Sequence, residues 1–297
     1  MTVEIDPHSG FCGGVIRAIS TAEEFLDAGQ GRLYSLGAIV HNEEELARLE
    51  SRGLVTIDRE NLQEKRRPAP GETVLIRAHG EPPRVYERVQ ELGYGLIDCT
   101  CPVVLGLQKK IREAYARVAP SGGQVVLFGK IGHPEVLGLV GQVEEGGVIV
   151  VENAEQLQER LSDGSIRLDH DIELFSQTTM SPEGYDVVRA SLQNAMRGAS
   201  LTVHGTICQQ VASRHRELQE FARSHDVVIF VSGRESSNGK VLCELCRRAN
   251  PRTWHIGFAD ELQREWFRPD DRVGVCGATS TPKWLLEEVT GAIKNLH

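Results

Sequence analysis

Aromatic residues make up only 5% of this 297-residue chain, which leaves no stacking platform for nucleic-acid bases. Cations are outnumbered as well, with 33 Lys and Arg against 42 Asp and Glu and a formal net charge of -9. Nonspecific polyanion binding draws on a surplus of Lys and Arg, and there is none. A small anionic ligand remains compatible, because helix N-termini and a few local donors can hold one. No apolar run approaches the ~20 residues that span a bilayer. The start, Met1-Thr2-Val3-Glu4-Ile5-Asp6, has neither basic flank nor apolar core, so no secretory signal is expected. G-x-G-x-x-G and the P-loop are both missing, which removes the common nucleotide fingerprints. An odd count of cysteines, seven, argues against a disulfide framework and for a reducing, cytoplasmic setting.

What is present is one pattern many times over: a short apolar strand, a polar or Gly-containing turn, then a helix. Val3–Ile5 leads to Cys12 and a helix expected to face inward with Val15, Ile19, Ala22 and Leu26. Leu33–Leu36 leads to His41, Val74–Ile76 to His79, and Leu96-Ile97 to Cys101 and a helix carrying Val104, Leu107, Ile111 and Val118. Val125–Phe128 leads to His133, Glu173–Phe175 to Thr178, and Thr202-Val203 to Cys208. Val227–Val231 leads to Ser236-Ser237-Asn238, and Val273–Val275 to Ser280. Helical spacing of three to four and β-branched strands support each element.

Such alternation predicts parallel sheets with crossover helices. Roughly nine βα units are too many for one doubly wound sheet, whereas a TIM barrel, with eight and the same carboxyl edge, stays compatible with the pattern. Grouped by their cysteines, the units form an α/β fold of three small lobes. The expected boundaries are 14–100, 101–207, and 1–13 with 208–281, followed by a C-terminal helix or tail over 282–297. Gln63–Gly71, with Lys-Arg-Arg-Pro and Pro-Gly, reads as a surface loop. The polar candidates all follow strands, at the carboxyl edge where open α/β sheets bind ligands.

Cys12, Cys101 and Cys208 each sit at a strand-to-helix turn, about a third of the chain apart. Helix N–H groups at such a turn suit an anionic sulfur ligand. Three thiolates with no obvious fourth suggest an iron–sulfur cluster with one iron left open. Cys99 stands two residues before Cys101, and position alone allows either. Cys243 and Cys246 share one face of a helix and, with Cys276, read as buried small hydrophobes. They have no matching second pair, so a closed four-cysteine zinc site is not supported.

His133-Pro134-Glu135 sets an imidazole and a carboxyl on a stiffened turn, an arrangement suited to proton relay. Ser236-Ser237-Asn238 before a helix is a neutral donor cluster apt for phosphate, and Ser280 repeats the theme.

Eight motifs then occur in order: Gly-Phe-Cys-Gly-Gly-Val, Ile-Val-His-Asn-Glu, Ala-His-Gly, Thr-Cys-Pro-Val-Val, Gly-His-Pro-Glu-Val, Gln-Thr-Thr, Ser-Ser-Asn and Ser-Thr-Pro. From Gly10 to beyond Ser280 the chain resembles the LytB family of 4-hydroxy-3-methylbut-2-enyl diphosphate reductases. The resemblance implies a trefoil of three α/β lobes around a [4Fe–4S] cluster held by Cys12, Cys101 and Cys208, deciding for Cys101 over Cys99. It implies diphosphate binding by His41, His79, Ser236, Ser237, Asn238 and Ser280. Glu135 matches the proton-donating glutamate, with His133 and Thr178 beside it as catalytic and substrate-binding neighbours. Two departures stand out: Val211 replaces a hydroxyl residue, and Gly239-Lys240 replaces a frequent Ser/Thr-Asn pair.

The implied activity is removal of an allylic hydroxyl with two electrons and two protons, supplied through ferredoxin or flavodoxin. A redox-neutral dehydratase can also use a three-cysteine cluster with an open iron, and only a need for external reductant separates the two. A noncatalytic metal-binding protein is the alternative from another class.

Overall fold

The computed structural model describes residues 1–63, 68–234 and 236–296, the side chains of Gln63 and Ser237 excepted. Strand β1 (Thr2–Ile5) leads to α1 (Gly13–Asp27), and β2 (Leu33–Leu36) to α2 (Glu43–Ser51). Then come β3 (Val55–Ile57), β4 (Thr73–Ile76), α3 (Pro83–Leu92), β5 (Gly95–Asp98) and α4 (Pro102–Val118). The middle of the chain gives β6 (Gln124–Phe128), α5 (Pro134–Val140), β7 (Val148–Val151), α6 (Ala154–Ser162), β8 (Ile172–Ser176), α7 (Pro182–Ala195) and β9 (Leu201–Val203). It closes with α8 (Gln209–Arg223), β10 (Val227–Val231), α9 (Ser237–Ala249), β11 (Thr253–Ile256), β12 (Arg272–Gly277) and α10 (Lys283–Lys294). Of the expected loop Gln63–Gly71, residues 64–67 lie outside the described residues, and Ala69, Pro70 and Gly71 are exposed. Among the described residues no helix is long and apolar enough to cross a membrane.

The strands form three open four-stranded sheets, which excludes the barrel alternative. Read from the edge strand that leads to a cysteine, the orders are β1-β12-β10-β11, β5-β4-β2-β3 and β9-β8-β6-β7. The connectivity is the same in all three, except that the first sheet takes its edge strand from the start of the chain. The registers of β1, β10, β11 and β12, of β2, β3 and β4, and of β6 to β9 are parallel. Among the described residues, twelve strands replace the nine expected. The three additions, β3, β7 and β11, are the far edge of each sheet. They end without a polar candidate, and β3 and β11 (Thr-Trp-His-Ile) lack a strong apolar run.

By compactness the chain divides into Met1–Asp58, Pro70–Leu75 and Gln210–His297 as one unit, and Arg59–Ala69 with Ile76–Gln209 as the other. In the first, alternate strand residues bury opposite faces of one sheet. Val227, Ile229, Val231, Val273 and Val275 pack on Leu285, Leu286, Val289 and Ile293 of α10. Val228, Phe230 and Cys276 pack on Leu218 of α8 and on Leu242, Cys243 and Cys246 of α9. The second unit repeats the sandwich. Val125, Leu127 and Phe175 meet Leu107 and Ile111 of α4, whereas Val126, Phe128 and Leu174 meet Leu157 of α6 and Val188 of α7. The inward face of α4 carries Val104, Leu107, Ile111 and Val118 as its spacing predicts. On α1 the face is turned: Ala18, Ile19, Ala22 and Phe25 are buried, with Phe25 taking the place expected for Leu26.

Each cysteine loop is tied back to the last residue of the strand beside it. Ser9 Oγ accepts the N–H of Gly277 (2.8 Å), which ends β12. Thr206 Oγ1 accepts the Ser176 N–H (2.8 Å) and donates to its carbonyl (2.7 Å), at the end of β8. In the remaining loop Cys99 N–H donates to the carbonyl of Ile76 (2.8 Å), which ends β4. Ser9 also donates to Asp6 (2.7 Å) and accepts from Arg214 of α8 (2.7 Å). Asp6 and Arg214 pair directly, only 2% and 3% exposed.

Breaking a buried pair on one side strands the other charge, at about 3–5 kcal/mol. Arg214→Ala is therefore expected to lower unfolding stability by about that amount. The double change with Asp6→Ala costs less than the two singles summed, as a double-mutant cycle by urea unfolding will read.

Candidate functional site

In the second unit one threonine joins an acid to a cysteine. Thr178 stands two residues past the end of β8, and its N–H and hydroxyl both donate to Glu135, at 2.8 Å each. Its carbonyl accepts the N–H of Cys208 (2.9 Å). Glu135 lies in the first turn of α5 and is 1% exposed. Burial pushes its pKa up to about 7, against two Thr178 hydrogen bonds that favour the charged form. His133 caps the same helix, Nδ1 accepting the Glu135 N–H (3.2 Å). That bond leaves the ring proton to Nε2.

The His79 ring stands edge-on to His133, with centroids 5.4 Å apart. The turn after His79 requires glycine at position 80. Its φ is +68°, and an added Cβ would lie 2.6 Å from Gln108 Nε2 and 2.8 Å from Thr100 Cγ2. Cys101 is the N-cap of α4, with Pro102 at the first helical position, and its N–H donates to Ala78 O (3.0 Å).

The first unit builds the same frame from other residues. Thr279 stands two residues past the end of β12; its carbonyl accepts the N–H of Cys12 (3.2 Å), the N-cap of α1. Its hydroxyl accepts from Asn238 Nδ2 (3.0 Å). Asn238 is 7% exposed, and its Oδ1 has no hydrogen-bond partner among the described residues. Ser236 caps α9 through the Gly239 N–H (3.0 Å) and meets Ser280 Oγ at 3.1 Å. The side chain of Ser237 lies outside the described residues. His41 precedes Asn42, which caps α2 by accepting the Glu45 N–H (3.0 Å). The backbone of Gly233 presses on this corner, since a Cβ there would fall 2.5 Å from His41 O.

Counting from the N-cap makes the correspondence explicit. Glu135 is two residues after cap His133, and Asn238 two after cap Ser236. Each is gripped by the hydroxyl of a threonine whose carbonyl holds a cysteine. Thr279 was not among the sequence candidates; its signal was Thr following the end of β12 at the spacing of Thr178 after β8. Ser9 and Thr206 were also missed, because isolated hydroxyls in loops look like ordinary capping groups.

Burial separates the seven cysteines, none of which is in a disulfide. Cys12, Cys101 and Cys208 are half-buried, each just before a helix. Cys99, Cys243, Cys246 and Cys276 are 2% exposed or less. Burial pushes the Cys243 thiol up to about 12, and Cys276 rises for the same cause.

The two departures acquire physical form. Val211 is 4% exposed, an apolar contact in α8. At Gly239 a Cβ would lie 2.4 Å from Ser232 Oγ, so the hydroxyl of Ser232 occupies the space a larger residue would need.

The LytB protein family model matches residues 3–294. A relative from Parabacteroides distasonis is 49% identical across 99% of this chain and 98% of its own length, and one from Porphyromonas gingivalis is 46% identical across 99% of both. Both are 4-hydroxy-3-methylbut-2-enyl diphosphate reductases. A solved structure of (E)-4-hydroxy-3-methyl-but-2-enyl diphosphate reductase, the terminal enzyme of the non-mevalonate pathway, superposes with a TM-score of 0.69 at 35% identity, covering 99% of this chain and 100% of that one. The reductase from Plasmodium falciparum gives 0.85 at 24% identity, covering 99% and 88%, and speaks to the fold alone. With nearly every residue matched by the family model, the chain belongs to the LytB protein family.

Proposed function

We propose that this chain reduces 4-hydroxy-3-methylbut-2-enyl diphosphate to isopentenyl and dimethylallyl diphosphates. Two electrons and two protons enter, the allylic C–O bond breaks, and water leaves. The observation that carries this reading is the Glu135–Thr178–Cys208 chain, a buried protonatable carboxyl tied through Thr178 to the backbone of a half-buried cysteine.

Cys12, Cys101 and Cys208 would hold a [4Fe–4S] cluster. Three soft thiol donors at equivalent corners of three repeats match its ligand chemistry, and the other four cysteines are buried in packed interiors. When bound, the cluster supplies electrons one at a time and a Lewis-acidic open iron.

The remaining work falls to the chain's own residues. His41, Ser236, Ser237, Asn238 and Ser280 bind the diphosphate, as does His79; Asn238 Nδ2 is held by Thr279, so its amide is fixed before substrate arrives. Glu135 delivers the proton that turns departing hydroxide into water. Its carboxyl does so in the protonated form, which burial favours up to pH about 7. The charge of a bound diphosphate raises that limit further. Thr178 fixes the carboxyl rotamer, and His133 orients the turn and offers an Nε2 proton. A need for external reductant separates this function from a redox-neutral dehydratase.

Changing Cys12, Cys101 or Cys208 singly to Ser is expected to strip iron and abolish reduction. Cys99→Ala, Cys243→Ala, Cys246→Ala and Cys276→Ala keep the cluster, as iron and sulfide analysis will read. A cluster kept in Cys101→Ser but lost in Cys99→Ala reassigns that ligand.

Losing a hydrogen bond to a charged group costs about 1.5–3 kcal/mol. Asn238→Ala should therefore raise the substrate dissociation constant by about tenfold or more, with the cluster spectrum unchanged. Indifference of binding to both Asn238→Ala and Ser280→Ala removes the diphosphate from this corner.

For the acid, kcat/KM is expected to fall as pH rises through about 7, because only protonated Glu135 donates. Glu135→Gln retains cluster and substrate but turns over ~10²–10⁴-fold more slowly, with that limb of the profile gone. Activity within a few-fold of the parent transfers the proton to another donor.

A further inference from the structure

Resting on the reductase reading above, we propose that the outer face of α4 is the docking surface for a small acidic one-electron carrier protein. Cys101 caps α4, and at 1.5 Å per residue the first turns of the helix stay close to that cysteine. Electron transfer weakens steeply with distance, so a carrier must seat near a cluster ligand. Three properties of this helix face outward.

The first is apolar. Val103 and Leu105 are 46% and 41% exposed, and α4 is the one helix among the described residues with two large exposed apolar side chains. The second is charge. In a chain whose acids outnumber its bases, the helix Pro-Val-Val-Leu-Gly-Leu-Gln-Lys-Lys-Ile-Arg-Glu-Ala-Tyr-Ala-Arg-Val carries Lys109, Lys110, Arg112 and Arg117 against Glu113. Arg117 holds Glu173 (2.7 Å) and Arg112 donates to Gln142, so the outward charge rests on Lys109 and Lys110. Lys109 lies four residues after Leu105 and Lys110 seven after Val103, so each exposed apolar group is backed by a cation on its own side of the helix. Glu113 offsets part of this through Lys109 at 3.7 Å.

The third is Gly106, between the two stripes. Glycine inside a helix is unfavourable by about 1 kcal/mol relative to alanine. An added Cβ there meets nothing within 4 Å, so internal packing gives no reason for its absence. A flat spot suits the close approach of another protein. The occupant is set by complementarity: a cationic face on a net-negative molecule selects an acidic partner. Each carrier is oxidised by one electron, and two successive encounters with two protons reduce one substrate and release one water.

The experiment compares the parent, Lys109→Glu/Lys110→Glu and Gly106→Trp, each with its cluster intact. Reductant is either ferredoxin or dithionite-reduced methyl viologen, a small donor that needs no docking surface. Both variants are expected to raise KM for ferredoxin by about tenfold or more at low salt while viologen-driven turnover is unchanged. The charge variant's defect shrinks toward about 0.5 M salt as screening equalises the two proteins, and that of Gly106→Trp persists. Unchanged ferredoxin KM in both variants overturns the docking surface while leaving the reductase reading intact. Equal loss with ferredoxin and viologen overturns it too, by assigning the face a structural role. A parent inert with viologen overturns the reductase reading, and this proposal with it.

Discussion

The hydrogen bond from a cysteine N–H to the carbonyl two residues beyond the neighbouring strand is the constraint on which the site depends. It occurs three times, from Cys12 to Thr279, Cys101 to Ala78 and Cys208 to Thr178. A strand end is the stiffest place from which a loop can be held, because the parallel ladder fixes both position and direction. By hanging each cysteine from that point, the fold makes thiol placement a property of its sheets rather than of its loops. The buried Asp6–Arg214 pair and the hydroxyls of Ser9 and Thr206 serve the same end. The hydroxyls replace ladder bonds that the departing loop can no longer make, and the ion pair holds Ser9 in place.

One frame therefore carries different chemistry. Two residues after the helix cap stands Glu135 in one repeat and Asn238 in another, each gripped by a threonine hydroxyl. The carboxyl is buried and pushed toward protonation, so it can give up a proton near neutrality. The amide has no such proton and offers a fixed dipole, the feature that suits it to the anion binding proposed above. Ala78 stands where the other repeats have threonine and grips no side chain. That corner relies on the His79-Gly80 turn, packed against Thr100 and Gln108. Divergence at a few positions per repeat places a buried carboxyl, a fixed amide and a histidine on three copies of one scaffold.

The sequence revealed this arrangement unevenly, for physical reasons. Strands ending in His79, Glu135's turn or Cys208 were legible because apolar runs met polar residues abruptly. Their partners β3, β7 and β11 were not, since an edge strand with nothing at its end looks like any short apolar or mixed segment. Cysteine burial was legible at Cys243 and Cys246, whose spacing puts both on one helix face. The choice between Cys99 and Cys101 was not, because two residues in a strand-to-helix turn differ only in which way the chain has turned. Thr279 was passed over for a related reason: its role lies in a carbonyl and a hydroxyl acting together, and only its spacing after β12 marks it in the sequence. The Gly239 departure, opaque alone, becomes intelligible beside Ser232, seven residues away but close enough to exclude a side chain.

Charge completes the logic. A chain of net charge -9 that binds a diphosphate invites a cationic pocket, yet the donors proposed are histidine, serine and asparagine. A lysine or arginine beside Glu135 would hold its carboxyl ionised, as an opposite charge within ~4–6 Å does, and remove the proton it must give. Burial alone lifts Glu135, opposed only by the two hydrogen bonds from Thr178. Neutral donors can grip an anion without undoing that balance, so weak individual contacts are the condition for acid catalysis. Cations are then available for the outside of α4, the docking face proposed above, and leave the acid untouched.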